Sequence, residues 1–361
     1  MAAYDFSCLS RRLLNKALAF FFNEPARVKM GERYRICKRY KQGNAMTFKK
    51  IIIVCFIFFS TPLFAKTDWQ TYVNDLRAEA ITKGIRPEVF DAAFQGMQEP
   101  HHKVLKLDRS QPEKRITYLQ YRNSRVDAYR IKLGHQEMKK NTALLTKIGA
   151  QYGVDPTIIV SLWGLESSYG RFMGNFPVIR SLATLAYDNR RASFFRRELF
   201  FALEMVNDGH VALEKLKGEW AGGTGQSQFL PSSWHSYAVD YDGNGRKDIW
   251  NSLPDVFASI ANYLAKNGWQ ANAPYSVTVT LPAQFDHALA SLKVVKTVDE
   301  WEKLGVRVDA KHIPATLPAS IVEPDGGPAM MVFNNFKVIM KWNHSIYYAG
   351  TVEYLAEKMK E

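Results

Sequence analysis

Three groupings of residues in this chain have types and spacings that could do chemistry. The first is a lone acid, Glu166, which follows Ile158, Ile159, Leu162, Trp163 and Leu165. It lies four residues after Leu162 and seven after Ile159, so helical periodicity puts its carboxylate on the apolar, core-facing side. Burial disfavours the charged form of a carboxyl group, which suits a proton donor. The second is a Gly-rich loop in which four glycines within eight residues (Gly218, Gly222, Gly223, Gly225) lead into Gln226 and Gln228. A side-chain amide there could bind a sugar N-acetyl or hydroxyl group, or cap the turn. The third runs from Asp240 to Asn251. Asp240, Asp242, Asn244 and Asp248 supply oxygen at positions 1, 3, 5 and 9 of an EF-hand-type loop, and Gly245 stands at the sharp sixth position. Position twelve holds Asn251 instead of the bidentate Glu, and Asp255 is the nearest acid that could close the site. The plainer reading of this loop is an Asx-turn without an ion.

Several chemistries are excluded by the same inspection. No His/Glu metalloprotease spacing, Gly-x-Ser-x-Gly elbow, dinucleotide fingerprint or P-loop occurs. An ordinary glycosidase needs a second carboxylate ~5–9 Å from the first, yet no acid lies between Glu166 and Tyr187. Aromatic residues with scattered amides are the usual means of holding sugars. From the residues alone the reading is a carbohydrate-active, exported protein.

Export is expected from the N-terminal region. Lys49 and Lys50 precede the apolar run 51–59, and Ala65 ends a cleavage-like segment, so residues 46–65 read as a signal peptide. The run is shorter than the ~20 residues of a spanning helix. The expectation is that translation starts at Met46 and that residues 1–45 are an extension. Of the net charge of +13, +9 lies before residue 51, leaving +4 for the remainder. That suits an anionic wall or membrane surface and is no nucleic-acid footprint. Cys8, Cys37 and Cys55 all precede residue 66, so the mature part has no disulfide, thiol nucleophile or thiolate metal site.

The elements that must position these residues are mostly helices. Asp155 and Pro156 form a helix start, with a capping carboxylate and a proline at the first helical position. Pro87 repeats the device, and further helices are expected from Tyr118, over 138–152, 194–205 and 255–266, and over the last ten or so residues. Tyr121 is by itself an ordinary core or rim aromatic. Arg190 and Arg191 read either as a solvated helix start or as a clamp for a substrate carboxylate, which arginine's paired donors suit. Past residue 272 the composition shifts: 275–281 alternates like a strand, 298–304 looks helical, 314–331 is punctuated by Pro and Gly, and 336–342 reads as a strand.

Four segments occurring in order carry a resemblance: Gly164-Leu-Glu166-Ser-Ser-Tyr-Gly-Arg171, Gly225-Gln-Ser-Gln228-Phe-Leu-Pro231, the 240–251 loop with Ile249-Trp250, and Trp342-Asn343-His-Ser345. Over roughly residues 69–358 the chain resembles the B family of bacterial lytic murein transglycosylases. The resemblance implies an α+β, predominantly α fold. A helical lobe (66–150) would lead a lysozyme-like core (151–272), followed by a small α/β lobe (273–335) and a C-terminal strand and helix (336–361) returning to the groove. It implies an enzyme that cleaves the MurNAc-β-1,4-GlcNAc bond of peptidoglycan glycan strands without water; the signal peptide places it in the periplasm, and a monomer is expected. Its partners could include proteins of cell-wall synthesis or hydrolysis, and membrane association stays open.

Carried over residue by residue, the resemblance makes Glu166 acid and then base. Tyr121, Gln228, Tyr263, Asn343 and Tyr348 would line the groove; Arg190 is a further candidate substrate contact on the clamp reading of the arginine pair, not from the resemblance. Asp240, Asp242, Asn244, Arg246 (through its carbonyl) and Asp255 would hold a structural Ca2+, with no organic cofactor. Two positions depart from the family pattern: Glu219 stands where a small hydroxyl residue is usual, and Trp342 where Tyr is usual. The alternatives are a hydrolytic muramidase on the same fold and a non-catalytic peptidoglycan-binding scaffold. Tryptic digestion of the expressed protein should yield no peptide from residues 5–40, and recovering one would place the start upstream of Met46.

Overall fold

The computed structural model describes residues 68–110, 116–308, 310 and 313–361. The expected signal peptide, the N-terminal extension and all three cysteines lie outside the described residues. Among those described, no helix is long and apolar enough to cross a membrane.

The helices run in chain order as α1 (Trp69–Thr82), α2 (Pro87–Phe94), α3 (His102–Arg109), α4 (Tyr118–Arg125), α5 (Ala128–Lys140), α6 (Thr142–Tyr152) and α7 (Pro156–Ser167). There follow α8 (Val178–Tyr187), α9 (Ala192–Asn207), α10 (Pro231–Tyr237), α11 (Leu253–Lys266), α12 (Val298–Lys303), α13 (Asn334–Trp342) and α14 (Ile346–Lys358). Local chemistry fixes many of the starts. Pro87, Pro156 and Pro231 occupy first-turn positions, where a missing N–H costs nothing. Thr117 and Gln120 form a reciprocal capping box at α4. The expected helix over 138–152 is two helices, because the chain turns at Asn141, whose side-chain amide caps the Glu137 carbonyl at 2.9 Å.

Helix α7 is the centre of the molecule. Asp155 Oδ1 accepts from the Thr157 N–H at 2.9 Å, as its sequence position implies. Every residue from Thr157 to Ser167 is buried, so the helix is enclosed on all sides and not on one face. Burying each large apolar side chain here contributes about 1.5–3 kcal/mol. Helices α5, α6, α11 and α14 pack around it.

A two-residue antiparallel pair, β1 (Phe176–Pro177) with β2 (Lys217–Gly218), ties the start of α8 to the Gly-rich loop. The small lobe holds an antiparallel sheet of β3 (Ser276–Thr280), β4 (Lys296–Thr297), β5 (Arg307–Val308), β6 (Pro318–Val322) and β7 (Met330–Val332), in the order β4-β6-β7-β3-β5. Met331 pairs Val277 on one side and Ile321 on the other. The lobe has its own core around Trp301, Ile321, Met331 and Phe333.

The segment 336–342, expected as a strand, is helical. Phe336, Val338, Met340 and Trp342 alternate, but Ile339 is buried with them, and burial at 335, 336, 338, 339 and 342 follows a helix. Asn335, fully buried, anchors the start of α13 by accepting from Gln270 N–H at 2.8 Å and donating to the Gln270 carbonyl at 2.7 Å.

Several hydrogen bonds among the described residues hold the small lobe to the helical body. Tyr118 N–H donates to Asp325 O at 2.6 Å, and Tyr275 Oη donates to Asp155 Oδ2 at 3.1 Å. Glu353 on α14 accepts from both the backbone and the hydroxyl of Ser276, at 2.9 and 2.5 Å. Burial pushes the Glu353 carboxyl up to about 7, against the pull of the Ser276 hydrogen bonds. Its folded value exceeds its unfolded one, so the folded state binds the extra proton and loses stability as pH rises from about 4.5 towards 7. Glu353→Gln should flatten that portion of the stability-versus-pH curve, read by denaturant unfolding. An unchanged slope in the variant would refute the assignment.

Candidate active site

The C-terminal turn of α7 sets the position of Glu166. After Ser167 the chain takes three consecutive left-handed residues, Ser168, Tyr169 and Gly170, and so leaves the helix abruptly. Arg130 on α5 clamps this exit: one guanidinium nitrogen donates to Gly164 O at 2.6 Å and the other to Ser168 Oγ at 3.2 Å. Tyr169 Oη returns a hydrogen bond to Arg130 O at 2.8 Å. The Tyr169 ring lies so close over Gly164 that a Cβ there would come within 2.6 Å of it. Nothing in the sequence marks Arg130, because its partners lie 34 and 38 residues away.

Glu166 itself is 2% exposed. Its Oε1 accepts two hydrogen bonds, from Trp342 Nε1 at 3.0 Å and from Tyr348 Oη at 2.5 Å. Tyr348, expected as a groove residue, thus touches the candidate catalytic acid directly. Trp342, noted in the sequence only as a departure from Tyr, supplies the other donor. An indole N–H can only donate, so Oε1 acts as an acceptor towards Trp342.

Behind these donors is an aromatic layer. Tyr263 packs edge-on to Trp342, with ring centroids 4.7 Å apart, and its hydroxyl donates to Lys341 O at 2.7 Å. Phe229 packs on Trp342 at 5.1 Å. Burial raises the Tyr263 phenol well above its usual range, so it is a neutral donor. Tyr263 therefore backs the tryptophan that holds Glu166.

The Gly-rich loop closes the neighbouring wall. Gln228 is buried in a left-handed conformation, and its amide donates to Met173 O at 3.0 Å and Gly225 O at 2.8 Å. Gln226 bridges inward, accepting from Trp163 Nε1 and donating to Trp250 O, both at 2.8 Å. Asn343, 2% exposed, follows Trp342 directly, and its Oδ1 has no hydrogen-bond partner among the described residues. Tyr121 stands part-exposed on α4 against Tyr347, at 5.9 Å, with the Arg125 guanidinium 4.9 Å from its ring centre. Glu219 is buried at 4% exposure within the Gly-rich turn, its N–H donating to Gly223 O at 2.8 Å.

Arg190 sits elsewhere in the fold's bonding pattern. It pairs with Asp108 on α3, and Arg191 reaches the same carboxylate at 2.6 Å. Arg109 pairs with Asp188 at 2.6 Å. The carboxylate partners of Arg190, Asp108 and Asp188 at 3.7 Å, are the chain's own, and this network fastens α3 to the start of α9.

The loop from Asp240 folds as its spacing implies. Carboxylate oxygens of Asp240, Asp242 and Asp255 lie within 4.8 Å of one another. Gly245 is left-handed, as the sharp sixth position requires. Asp240 accepts from Gly243, Asn244 and Gly245 amides at 2.8–3.0 Å, and Asn244 Oδ1 accepts from the Arg246 amide at 2.9 Å. Asp255 is fully buried and accepts from the amides of Tyr241 at 2.7 Å and Asp248 at 2.8 Å. Burial raises its carboxyl, and neighbouring Asp242 adds to that rise against the pull of those amides. Three carboxylates gathered with all-oxygen donors fit a hard cation such as calcium. Asp248 turns away and instead caps the amides of Trp250 and Asn251, both at 2.9 Å.

An enclosed glutamate at the end of a buried helix, facing aromatic and amide walls in a mostly helical body, defines a lysozyme-like glycan-cleaving enzyme. The family model described as the transglycosylase SLT domain matches residues 68–357. A membrane-bound lytic murein transglycosylase B from Escherichia coli K12 is 31% identical over 244 residues, covering 66% of each chain. The crystal structure of SltB3 from Pseudomonas aeruginosa in complex with NAG-anhNAM-pentapeptide is 40% identical, with TM-score 0.78, covering 81% of this chain and 80% of that one. The Escherichia coli lytic transglycosylase Slt35 in complex with calcium is 27% identical, with TM-score 0.72, covering 80% of this chain and 92% of that one. The chain belongs to the transglycosylase SLT domain family and is a peptidoglycan lytic transglycosylase.

Proposed function

We propose that the chain cleaves the MurNAc-β-1,4-GlcNAc bond with Glu166 as its single acid and base, leaving 1,6-anhydro-MurNAc ends. The observation that carries this reading is a buried Glu166 carboxyl whose Oε1 is held by the Trp342 and Tyr348 donors, and in this reading Oε2 is the oxygen that moves the proton. In the first step Oε2 gives its proton to the glycosidic oxygen and the C1–O bond breaks. The Trp342 and Tyr348 donors then hold the carboxylate that remains. In the second step Oε2 takes the proton of the MurNAc C6 hydroxyl, whose oxygen attacks C1 and closes the anhydro ring. The attacking group belongs to the substrate, so its approach costs little entropy and no second carboxylate has to activate water. Gln228, Asn343 and Tyr121 line the glycan groove, while Tyr263 and Tyr348 act on Glu166 and its support. The SltB3 complex contains the anhydro sugar, which supports this product class.

The finer statements on cation and compartment belong with this reading. Asp240, Asp242, Asn244, the Arg246 carbonyl and Asp255 hold a structural calcium ion, which would offset the repulsion of three gathered carboxylates. The enzyme works in the periplasm, reached through the signal-like residues 46–65.

Glu166→Gln keeps the shape of the side chain and removes the proton. It should abolish release of muropeptides from sacculi, lowering the rate by at least ~100-fold, while sacculus binding persists. Mass spectrometry of wild-type products should show ends one water lighter than reducing ends, and reducing ends instead would establish a hydrolase. In the loop, calcium should raise the melting temperature of the wild type and leave Asp240→Ala unaffected. Identical melting of the wild type in calcium and in chelator would leave the loop a plain turn.

A further inference from the structure

Away from Glu166, a concavity of about 400 Å³ opens between the end of α9 and the exit of the cation loop. Its volume falls within the ~300–1,000 Å³ range of small-ligand pockets. Val211 and Trp250 give it an apolar floor, and His210, Lys215 and Arg246 line its rim. Neither Lys215 nor Arg246 has a carboxylate in ion-pair range among the described residues, and both are exposed. The one acid in the lining, Asp248, is already engaged by the amides of Trp250 and Asn251 and by the Asn251 side chain at 3.1 and 3.2 Å. His210 Nδ1 accepts from the Lys247 amide at 3.3 Å, which puts its other ring nitrogen in place to donate. Burial, and after it the Lys247 charge, holds His210 below its usual value, so it is a neutral donor near pH 7.

We propose that this concavity binds the terminal carboxylate of a peptidoglycan stem peptide. Lys215 and Arg246 take the oxyanion, His210 adds a neutral N–H, and the apolar floor takes the short aliphatic side chain beside the carboxylate. The proposal rests on the peptidoglycan reading above. Free phosphate shares the oxyanion chemistry but offers nothing to the floor, which favours the peptide as the source.

Occupancy is connected to the catalytic wall through one residue. Trp250 lines the concavity, its indole donates to Thr224 Oγ1 at 3.0 Å, and its carbonyl accepts from Gln226, which in turn accepts from Trp163 three residues before Glu166. A ligand on the Trp250 ring therefore presses on the Gly-rich loop.

The test uses the full mature chain, calcium-loaded and carrying Glu166→Gln, so that binding is read without cleavage. An N-acetylated stem tetrapeptide with a free C-terminal carboxylate should shift the Trp250 indole resonance saturably. The C-terminal amide of the same peptide should bind about tenfold more weakly, as should the acid peptide to Lys215→Glu. Lys215 is exposed, so its substitution leaves the fold intact. Equal binding of acid and amide, no saturable shift, or unchanged affinity in Lys215→Glu would overturn the site. Binding of inorganic phosphate without the peptide acid would overturn the peptide as its occupant. Loss of glycan cleavage in the wild type with peptide binding intact would count against the catalytic reading alone.

Discussion

The structure depends on a contact between chain segments 176 and 182 residues apart: Trp342 and Tyr348, from the C-terminal helices, both donate to Glu166. A buried carboxyl group without partners would carry a desolvation cost of several kcal/mol when charged. Two donors on one oxygen offset that cost and fix the orientation of the carboxyl group. The site is therefore incomplete until α13 and α14 have docked on α7. Their docking in turn relies on the small lobe, which holds α14 through Glu353 and Ser276 and α7 through Tyr275 and Asp155.

The sequence showed clearly whatever local chemistry decides. The start of α7 and the place of Glu166 on it follow from a cap and the helical period and are present as expected; the loop gathers Asp240, Asp242 and Asp255, but Asp248 at its ninth position turns away. The class of enzyme came from four motifs in order, and the family match covers the same span. Segment 336–342 was misread because seven residues alternating at period two fit a strand as well as a helix. What decides is Asn335, bound to Gln270 65 residues away, which no local pattern can show. Arg130 was missed for the same reason. It is one arginine among many until the fold brings Gly164 and Ser168 to it.

Arg190 shows the opposite limit. Two adjacent arginines suit a carboxylate clamp, and both do hold a carboxylate, that of Asp108 on a helix over 80 residues away. Residue chemistry identified the kind of partner but not its source. Tyr263 is similar: its aromatic character was legible, but its place behind Trp342 depends on α11 and α13 meeting.

The cation loop and the catalytic wall are also one construction. Gln226 N–H donates to Ile249 O and its side chain to Trp250 O, both at 2.8 Å, so the exit of the loop is the seat of the Gln-rich segment. The other end of that exit is held by Asp255, which gathers the amides of Tyr241 and Asp248 around one buried carboxylate. Anything that fixes the charge on Asp255 fixes the path of residues 248–250, and with it Gln226 and the Trp163 indole on the catalytic helix. A cation bound as proposed would thus act on the Gly-rich segment through this chain of hydrogen bonds, without touching substrate. Positional errors near 1 Å are enough to matter where a catalytic group must be held in a productive geometry.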